Sequence, residues 1–211
     1  GTLDVAEKIH TTDTANLTSD LMTIAPGKLK TNELHLNKET QTQDIAFGTG
    51  AGQWDLTGST FNDLKVGGST YQGNISLNNV TFSGNTELET TKKVTLTGTN
   101  NIGTGTPKKD LTITAESAKL PATTDTMRVK KLTLNLSGGL DLGAGTVHGS
   151  GALTLGGMAA NQNIFVSNTY DKVTDPNPGG YKVAYTTLNN VLSGFDAISL
   201  DGPANVYFDA G

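Results

Sequence analysis

The sequence predicts an all-β protein folded as a parallel β-helix, or β-solenoid, with about 20 residues per coil. The first observation is a set of short segments in which apolar residues alternate with mostly polar ones, as in strands with one buried face. The second is their spacing of 17 to 21 residues. The segments are Leu34-His35-Leu36, Trp54-Asp55-Leu56, Ile75-Ser76-Leu77, Val94-Thr95-Leu96, Leu111-Thr112-Ile113, Leu132-Thr133-Leu134 and Leu153-Thr154-Leu155. One coil cannot bury its inner face alone, so their apolar residues are predicted to share one interior.

The first 30 residues carry weaker strands, around residues 3–5 and 21–24. The second of these ends at Pro26 and Gly27, a turn pair because proline presets φ and glycine accepts positive φ. From Leu29 the repeat is regular, with further short strands between the main ones. These lie at Ile45/Phe47, Leu64/Val66, Val80/Phe82, Leu140/Leu142 and Ile164/Val166. Two or three strands per coil, separated by Gly or Asn, are typical of a β-helix.

An up-and-down β-sandwich also has short strands at regular spacing. Its two-residue hairpin turns favour Asn-Gly or Asp-Gly, and Asp201-Gly202 is the only such dipeptide. The repeat is about twice the usual hairpin strand spacing and therefore favours the solenoid. No segment has the 3.6-residue period of a helix, so we expect little helix.

The composition changes near residue 160, since seven of the 12 aromatic residues follow it. Residues 1–160 are predicted to form the solenoid coils, and residues 161–211 a wider terminal section of the same solenoid. A long loop rich in Asp, Pro and Gly is predicted over residues 167–181. Strands are predicted to resume at residues 181–185, 198–200 and 206–208.

The charge of the chain and the length of its apolar runs argue against some classes of function. The formal net charge is −5, and Arg128 is the only arginine, which argues against a nucleic-acid partner because such binding depends on dense Lys and Arg contacts with phosphates. No apolar run approaches the ~20 residues that span a bilayer. No signal peptide is visible, and the chain is interpreted as a mature or excised piece.

Segments rich in Thr, Asn and Gly resemble passengers of the bacterial type V secretion family, which comprises autotransporters and two-partner-secreted exoproteins. They cover residues 73–84 and 149–157, and residues 180–185 followed by 192–200. The last pair is similar to the strand–loop–strand found where such passengers approach their membrane anchor. The resemblance implies a right-handed β-helix, secreted or displayed on the bacterial cell surface. Family members include adhesins, proteases and toxins, which implies a host-cell surface or glycan as partner.

No residue is predicted to be catalytic or to hold a cofactor or metal. The three histidines fall in different predicted coils: His10, His35 and His148. Zinc sites need clustered Cys or His. Residues 48–52 and 143–145 are rich in glycine, but neither opens a helix as a phosphate-binding loop does, and both are interpreted as turns. The long loop holds oxygen-bearing residues that are interpreted as solvated: Asp171, Asp175 and Asn177.

Carboxylates spaced by about one coil leave an enzyme open as the alternative. Asp44 with Asp63, and Glu89 with Asp110, could become neighbours on stacked coils, which lie ~4.8 Å apart. A glycosidase needs two carboxyl groups ~5–9.5 Å apart in a cleft. We interpret these acids as scattered turn residues.

Three lysine pairs flank predicted strands, at Lys92-Lys93, Lys108-Lys109 and Lys130-Lys131. They could stack into a basic stripe that binds acidic glycans. Alternatively, they place charge at coil corners and discourage sheet-edge pairing, which is the interpretation we favour.

These observations favour a non-enzymatic β-solenoid that acts in adhesion or host interaction. A carbohydrate-active enzyme and a self-assembling structural subunit, associating through the solenoid ends, remain as alternatives. An enzyme should show a groove lined by clustered acids, whereas an adhesin should show ladders of Thr and Asn.

Overall fold

The computed structural model describes residues 2–157, 163–166, 180–183, 192–201 and 206–208. These residues form short strands and contain no helix. The strands are β1 (Thr2–Val5), β2 (Ile9–His10), β3 (Thr14–Thr18), β4 (Leu21–Ile24), β5 (Leu29–Lys30), β6 (Glu33–Asn37), β7 (Ile45–Phe47), β8 (Asp63–Gly67), β9 (Ile75–Asn78), β10 (Thr81–Phe82), β11 (Asn85–Glu89), β12 (Lys93–Thr97), β13 (Thr99–Ile102), β14 (Leu111–Ala115), β15 (Ser117–Lys119), β16 (Thr126–Arg128), β17 (Leu132–Leu136), β18 (Leu140–Asp141), β19 (Thr146–His148), β20 (Ala152–Gly157), β21 (Asn163–Val166), β22 (Gly180–Val183), β23 (Leu192–Ser193), β24 (Ala197–Asp201) and β25 (Val206–Phe208).

Three long parallel sheets run along the molecule. The first sheet has eight strands in the order β24-β20-β17-β14-β11-β8-β6-β3. The second sheet has the order β18-β15-β12-β9-β7, and the third has the order β10-β13-β16-β19-β23. Consecutive strands such as β11, β12 and β13 enter the first, second and third sheet in turn, and β14 then returns to the first. The chain therefore winds as a parallel β-solenoid of about seven turns, with about 21 residues per turn, which confirms the predicted fold class.

The core lies inside the winding. Because strand side chains alternate between faces, every second residue points inward. The inward residues that the repeat predicted are all 0–5% exposed and belong to one core: Leu34, Leu36, Leu56, Ile75, Leu77, Val94, Leu96, Leu111, Ile113, Leu132, Leu134, Leu153 and Leu155. The prediction of one shared interior is confirmed.

The even spacing of the main segments suggested that they stack in a single ladder, but they are divided between two sheets. Leu96 pairs with Leu77 in the second sheet, whereas Ile113 pairs with Leu88 and Leu134 in the first. Leu64 and Val66, assigned to the secondary set, lie in β8 of the first sheet. The two sheets have the same alternation, so the pattern alone could not separate them.

The predicted strand at Trp54-Asp55-Leu56 is wrong. Trp54 makes only an isolated parallel bridge with Phe47. The Asp55 carboxylate accepts a hydrogen bond from the Thr57 backbone N–H at 2.8 Å, and Gly58 has φ +74°. These are turn features, so the two apolar side chains reach the core from a turn.

Regular winding begins earlier than Leu29. β1 pairs with β4, with Thr2 beside Leu21, and β3 pairs with β6, with Leu17 beside Leu36. The weak strands predicted around residues 3–5 and 21–24 are confirmed. Gly27, in the predicted Pro-Gly turn, has φ +69°.

The terminal section adds one more strand to the third sheet, β23, and one to the first sheet, β24, after a long connecting segment. Val147 pairs with Leu192 and Leu153 with Ile198, so this turn is about twice as long as the average turn of about 21 residues. β21, β22 and β25 form a separate three-stranded parallel sheet. Residues 167–179 of the predicted loop lie outside the described residues, and β22 begins at Gly180.

Candidate functional site

The outer face of the first sheet carries a continuous row of side chains, called here the outer column. In-register parallel pairing places equivalent positions of successive turns side by side. The column runs through Asn16, His35, Lys65, Glu87, Thr112, Thr133, Thr154 and Ser199. It spans all eight strands of the sheet and thus offers an extended surface.

The outer column changes character along its length. Its first half carries the ionisable residues His35, Lys65 and Glu87, whereas from Thr112 onward it is a ladder of hydroxyls. Beside the ladder, the Asn135 side-chain amide donates a hydrogen bond to the Thr114 hydroxyl at 3.4 Å. The sheet thus combines an ionised region with the ladder of Thr and Asn expected of an adhesin.

In the first half of the outer column, the Glu33 carboxylate contacts side chains from three neighbouring strands. Glu33 Oε1 lies 2.8 Å from His35 Nε2 and 3.3 Å from Lys65 Nζ. The Thr14 hydroxyl donates a hydrogen bond to Glu33 Oε2 at 3.0 Å. The contact with His35, followed by the hydrogen bond from Thr14 and the contact with Lys65, lowers the pKa of Glu33 to about 2. Glu33 is therefore a carboxylate at neutral pH.

Two shallow depressions lie on this half. The first, of about 230 Å³, has Asn16, His35 and Glu89 in its wall. Gly67 pairs with Glu89 and has no side chain to fill the space. The second, of about 310 Å³, is lined by four carboxyl groups, those of Glu33, Asp63, Glu87 and Asp110. Lys65 and Glu87 line both depressions.

The acid-lined depression has the composition of a two-carboxylate hydrolase site. Such a site needs one carboxyl group that is protonated at the working pH, so that it can act as an acid. The pKa of Glu33 is lowered instead of raised, so Glu33 can act only as a base or as an ion-pair partner. Asp63 Oδ1 already accepts a hydrogen bond from the Asn85 amide at 3.0 Å.

The structure does not bring together the carboxylate pairs expected from coil spacing. Asp44 stands before the second sheet, where its carboxylate accepts hydrogen bonds from Asn74 N at 2.8 Å and Asn74 Nδ2 at 3.0 Å. Asp63 begins a strand of the first sheet and pairs with Glu33. The turn between β6 and β8 is longer than the average, so the true neighbours are 30 residues apart.

The second expected pair is also separated. Glu89 ends β11, whereas Asp110 precedes β14 and its backbone N–H binds Asn85 Oδ1 at 3.2 Å, at the start of β11. Four residues of strand separate the two positions, about 13 Å.

The histidines lie apart, as expected. His10 ends β2, His35 is in β6 and His148 ends β19. In the described part of the chain, no group of three or more His, Cys, Asp or Glu residues could hold a metal ion. Asp171, Asp175 and Asn177 lie outside the described residues.

The glycine-rich segment at residues 48–52 is closed by its own chain. The Gly50 N–H donates a hydrogen bond to Gln53 Oε1 at 2.9 Å, and the Gly48 N–H binds Trp54 O at 3.2 Å. Gly52 has φ +74°. The segment is a tight turn, and its backbone donors at Gly48 and Gly50 are already satisfied.

The aromatic side chains that the structure describes do not contribute to the outer face. Phe47 packs edge-to-face against Trp54 and Phe82, with ring centroids 5.6 Å and 5.4 Å apart, inside the solenoid. Wherever the structure describes aromatic side chains, they are buried, apart from Phe195, which is partly buried against the core. In the described part of the chain, the outer surface therefore presents no aromatic stacking platform.

Two of the three lysine pairs meet. Lys108-Lys109 and Lys130-Lys131 precede strands of the first sheet on neighbouring turns, where Lys130 N donates a hydrogen bond to Lys109 O at 2.8 Å. Lys92-Lys93 precedes the second sheet instead. The basic stripe that the sequence left open as an alternative is therefore formed by two of the three pairs, and the third lies beside another sheet.

Comparison with protein-family models, with curated proteins and with solved structures finds no match for this chain. Among the described residues, no helix is long and apolar enough to cross a membrane.

Proposed function

We propose that the protein is a non-enzymatic binding module, and that it forms part of a passenger of a type V secreted bacterial protein. In this proposal it acts at the bacterial cell surface or after secretion, as an adhesin or toxin segment that contacts a host-cell surface or glycan. The observation that supports binding is the outer column, which continues across eight strands without interruption.

The outer column suits a long ligand better than a small one. Its positions between the two edge strands are held by backbone ladders on both sides, so binding there costs little ordering of the protein. Hydroxyl and amide groups such as Thr133 and Asn135 can donate and accept hydrogen bonds, as sugar hydroxyls do. The depressions are shallow and lie on the outer surface of a sheet, whereas small-molecule sites usually enclose most of their ligand.

The proposal predicts binding without turnover. Thr133→Lys places a long charged side chain in the middle of the outer column and should weaken binding of uncharged glycans by about tenfold or more. Thr95→Lys is the matched control, because Thr95 holds the same outward position on β12 of the second sheet. A glycan array and a reducing-sugar release assay, run on the same samples, measure both properties. Equal loss of binding in the two variants would contradict the outer column as the binding surface.

A carbohydrate-active enzyme is the second candidate, favoured by the depression lined by Glu33, Asp63, Glu87 and Asp110. Its test is the same release assay. Sugar release that disappears in Asp63→Asn would replace the binding module with this enzyme.

A further inference from the structure

Four cations gather where the third sheet passes into the first, called here the basic corner: Lys109, Arg128, Lys130 and Lys131. Lys130 N donates a hydrogen bond to Lys109 O at 2.8 Å, and Leu111 N donates to Lys131 O at 2.9 Å. These bonds join neighbouring turns, so residues far apart in sequence form one patch. The only arginine of the chain lies in it.

These side chains face outward. β16 ends at Arg128, which is exposed, Val129 after it is 1% exposed and points into the core, and Lys130, in the bend that follows, is exposed again. All four cations are exposed. His148 pairs with Arg128 on the next turn.

The basic corner is not neutralised by its surroundings. No carboxylate of the described residues lies within 4.0 Å of the four cations, although Asp110 directly follows Lys109. By contrast, Lys65 lies 3.3 Å from Glu33 and Lys119 lies 3.7 Å from Asp141. Since like charges on neighbouring strands destabilise a sheet, and the chain as a whole is acidic, this concentration of positive charge is costly.

Protection of a sheet edge does not explain the charge. Lysines guard strands that lack a neighbour on one side. The strands that follow the basic corner, β14 and β17, lie inside the first sheet with neighbours on both sides. The interpretation first favoured for Lys108-Lys109 and Lys130-Lys131 therefore does not hold.

We propose that the basic corner binds an acidic polysaccharide, with the sugar chain lying along the solenoid axis. Neighbouring turns are about 4.8 Å apart, close to the length of one sugar residue in an extended chain. Sulfate or carboxylate groups on successive sugars can thus meet cations on successive turns, and the guanidinium of Arg128 can bind such a group through two hydrogen bonds. Lys131 stands two residues before Thr133, so this site adjoins the outer column, but its binding depends on charge and not on the hydroxyl ladder.

Two other anionic partners fit less well. Single-stranded nucleic acid binds through exposed aromatic side chains as well as charge, and the described aromatic side chains are buried or partly buried. A membrane surface calls for an apolar anchor or a second signal beside the charges. The large apolar side chains exposed in the described part, Leu21 and Ile198, lie in β4 and β24.

The test measures binding of the whole chain to fluorescent dextran sulfate, neutral dextran, a single-stranded oligonucleotide and vesicles of anionic phospholipid. Lys130→Gln/Lys131→Gln should weaken dextran sulfate binding by about tenfold or more. Lys92→Gln/Lys93→Gln is the matched control, because it removes the same charge from an exposed pair at the start of a strand of the second sheet. It should change binding by less than about twofold. Raising NaCl from about 50 to about 200 mM should weaken binding of the unmodified chain.

Preference for dextran sulfate over the other three probes, lost only in the Lys130/Lys131 variant, supports the proposal. Equal losses in the two variants would overturn the assignment to the basic corner. Tighter binding to the oligonucleotide or the vesicles would overturn the polysaccharide, and the absence of dextran sulfate binding would overturn the site.

Discussion

Replacing Leu134 with alanine is expected to reduce the free energy of unfolding by ~2–5 kcal/mol, the range for deleting a buried leucine side chain. Leu134 is 0% exposed and pairs with Ile113 on one side and Leu155 on the other, so the lost methyl groups leave a cavity between turns. Each turn is held mainly by its neighbours, and a cavity here loosens both contacts. Denaturant titration followed by circular dichroism measures the change.

Thr133→Ala is the control for this variant. Thr133 precedes Leu134 on the same strand and faces outward, so its replacement should cost less than about 1 kcal/mol. Similar losses for the two variants would refute the assigned inner and outer faces of β17.

Replacing Gly67 with alanine is expected to cost at least about 2 kcal/mol. Gly67 ends β8 with φ +79°, a conformation that is strained for residues with a Cβ. An added Cβ would also stand 2.2 Å from the backbone oxygen of Glu89 on the next turn. The backbone of β11 cannot move away without disturbing its ladder, so both effects act together. The melting temperature and the free energy of unfolding should both fall.

Gly68→Ala provides the matched control one residue later. Gly68 does not have a φ in the left-handed region, and an added Cβ there meets no atom within 4 Å. We expect a change within about 0.5 kcal/mol. A Gly67→Ala variant as stable as Gly68→Ala would mean that β8 and β11 do not approach each other as described.

The fold class could be predicted from the sequence because burial imposes the same rule on every strand. Residues such as Leu96 and Ile113 must alternate with polar neighbours and recur once per turn, whichever sheet they join. The alternation does not say which sheet that is. Leu96 therefore looked like a neighbour of Ile113, although β12 and β14 belong to different sheets.

Turn length limited the prediction of the candidate site. The acid-lined depression depends on Glu33 lying beside Asp63. These residues are 30 positions apart, whereas the average turn has about 21 residues, so the average spacing of the repeat could not predict this pair. The longer turn contains Trp54 and Leu56, and their alternation with Asp55 has the same pattern as a strand with one buried face. Turn signals at Asp55 and Gly58 were available in the sequence and could have identified the longer turn.

The basic corner was only partly visible in the sequence. The pairs Lys108-Lys109 and Lys130-Lys131 are recognisable in the sequence as adjacent lysines. However, Lys92-Lys93 shows the same pattern and lies at the start of a strand of the second sheet. Arg128 joins the patch through the alternation around Val129, and no spacing of lysines includes it. The absence of carboxylates within ion-pair distance is a three-dimensional property of the described residues.

The stacking of turns, on which both proposed surfaces depend, can be tested most directly by disulfide formation. The chain has no cysteine, so a pair introduced by substitution has no competitor. Thr112 and Thr133 are register partners on neighbouring strands of the first sheet, and the strand spacing of about 4.8 Å lies within the Cα separation of disulfides. Thr112→Cys/Thr133→Cys should oxidise readily, as seen by loss of free thiols.

Thr95→Cys/Thr112→Cys is the discriminating control, because even spacing in sequence would stack these two residues, whereas the structure places them in the second and first sheets. The solenoid of three sheets predicts a disulfide in the Thr112/Thr133 variant and free thiols in the Thr95/Thr112 variant. The reverse result would contradict it, and with it the outer column and the basic corner.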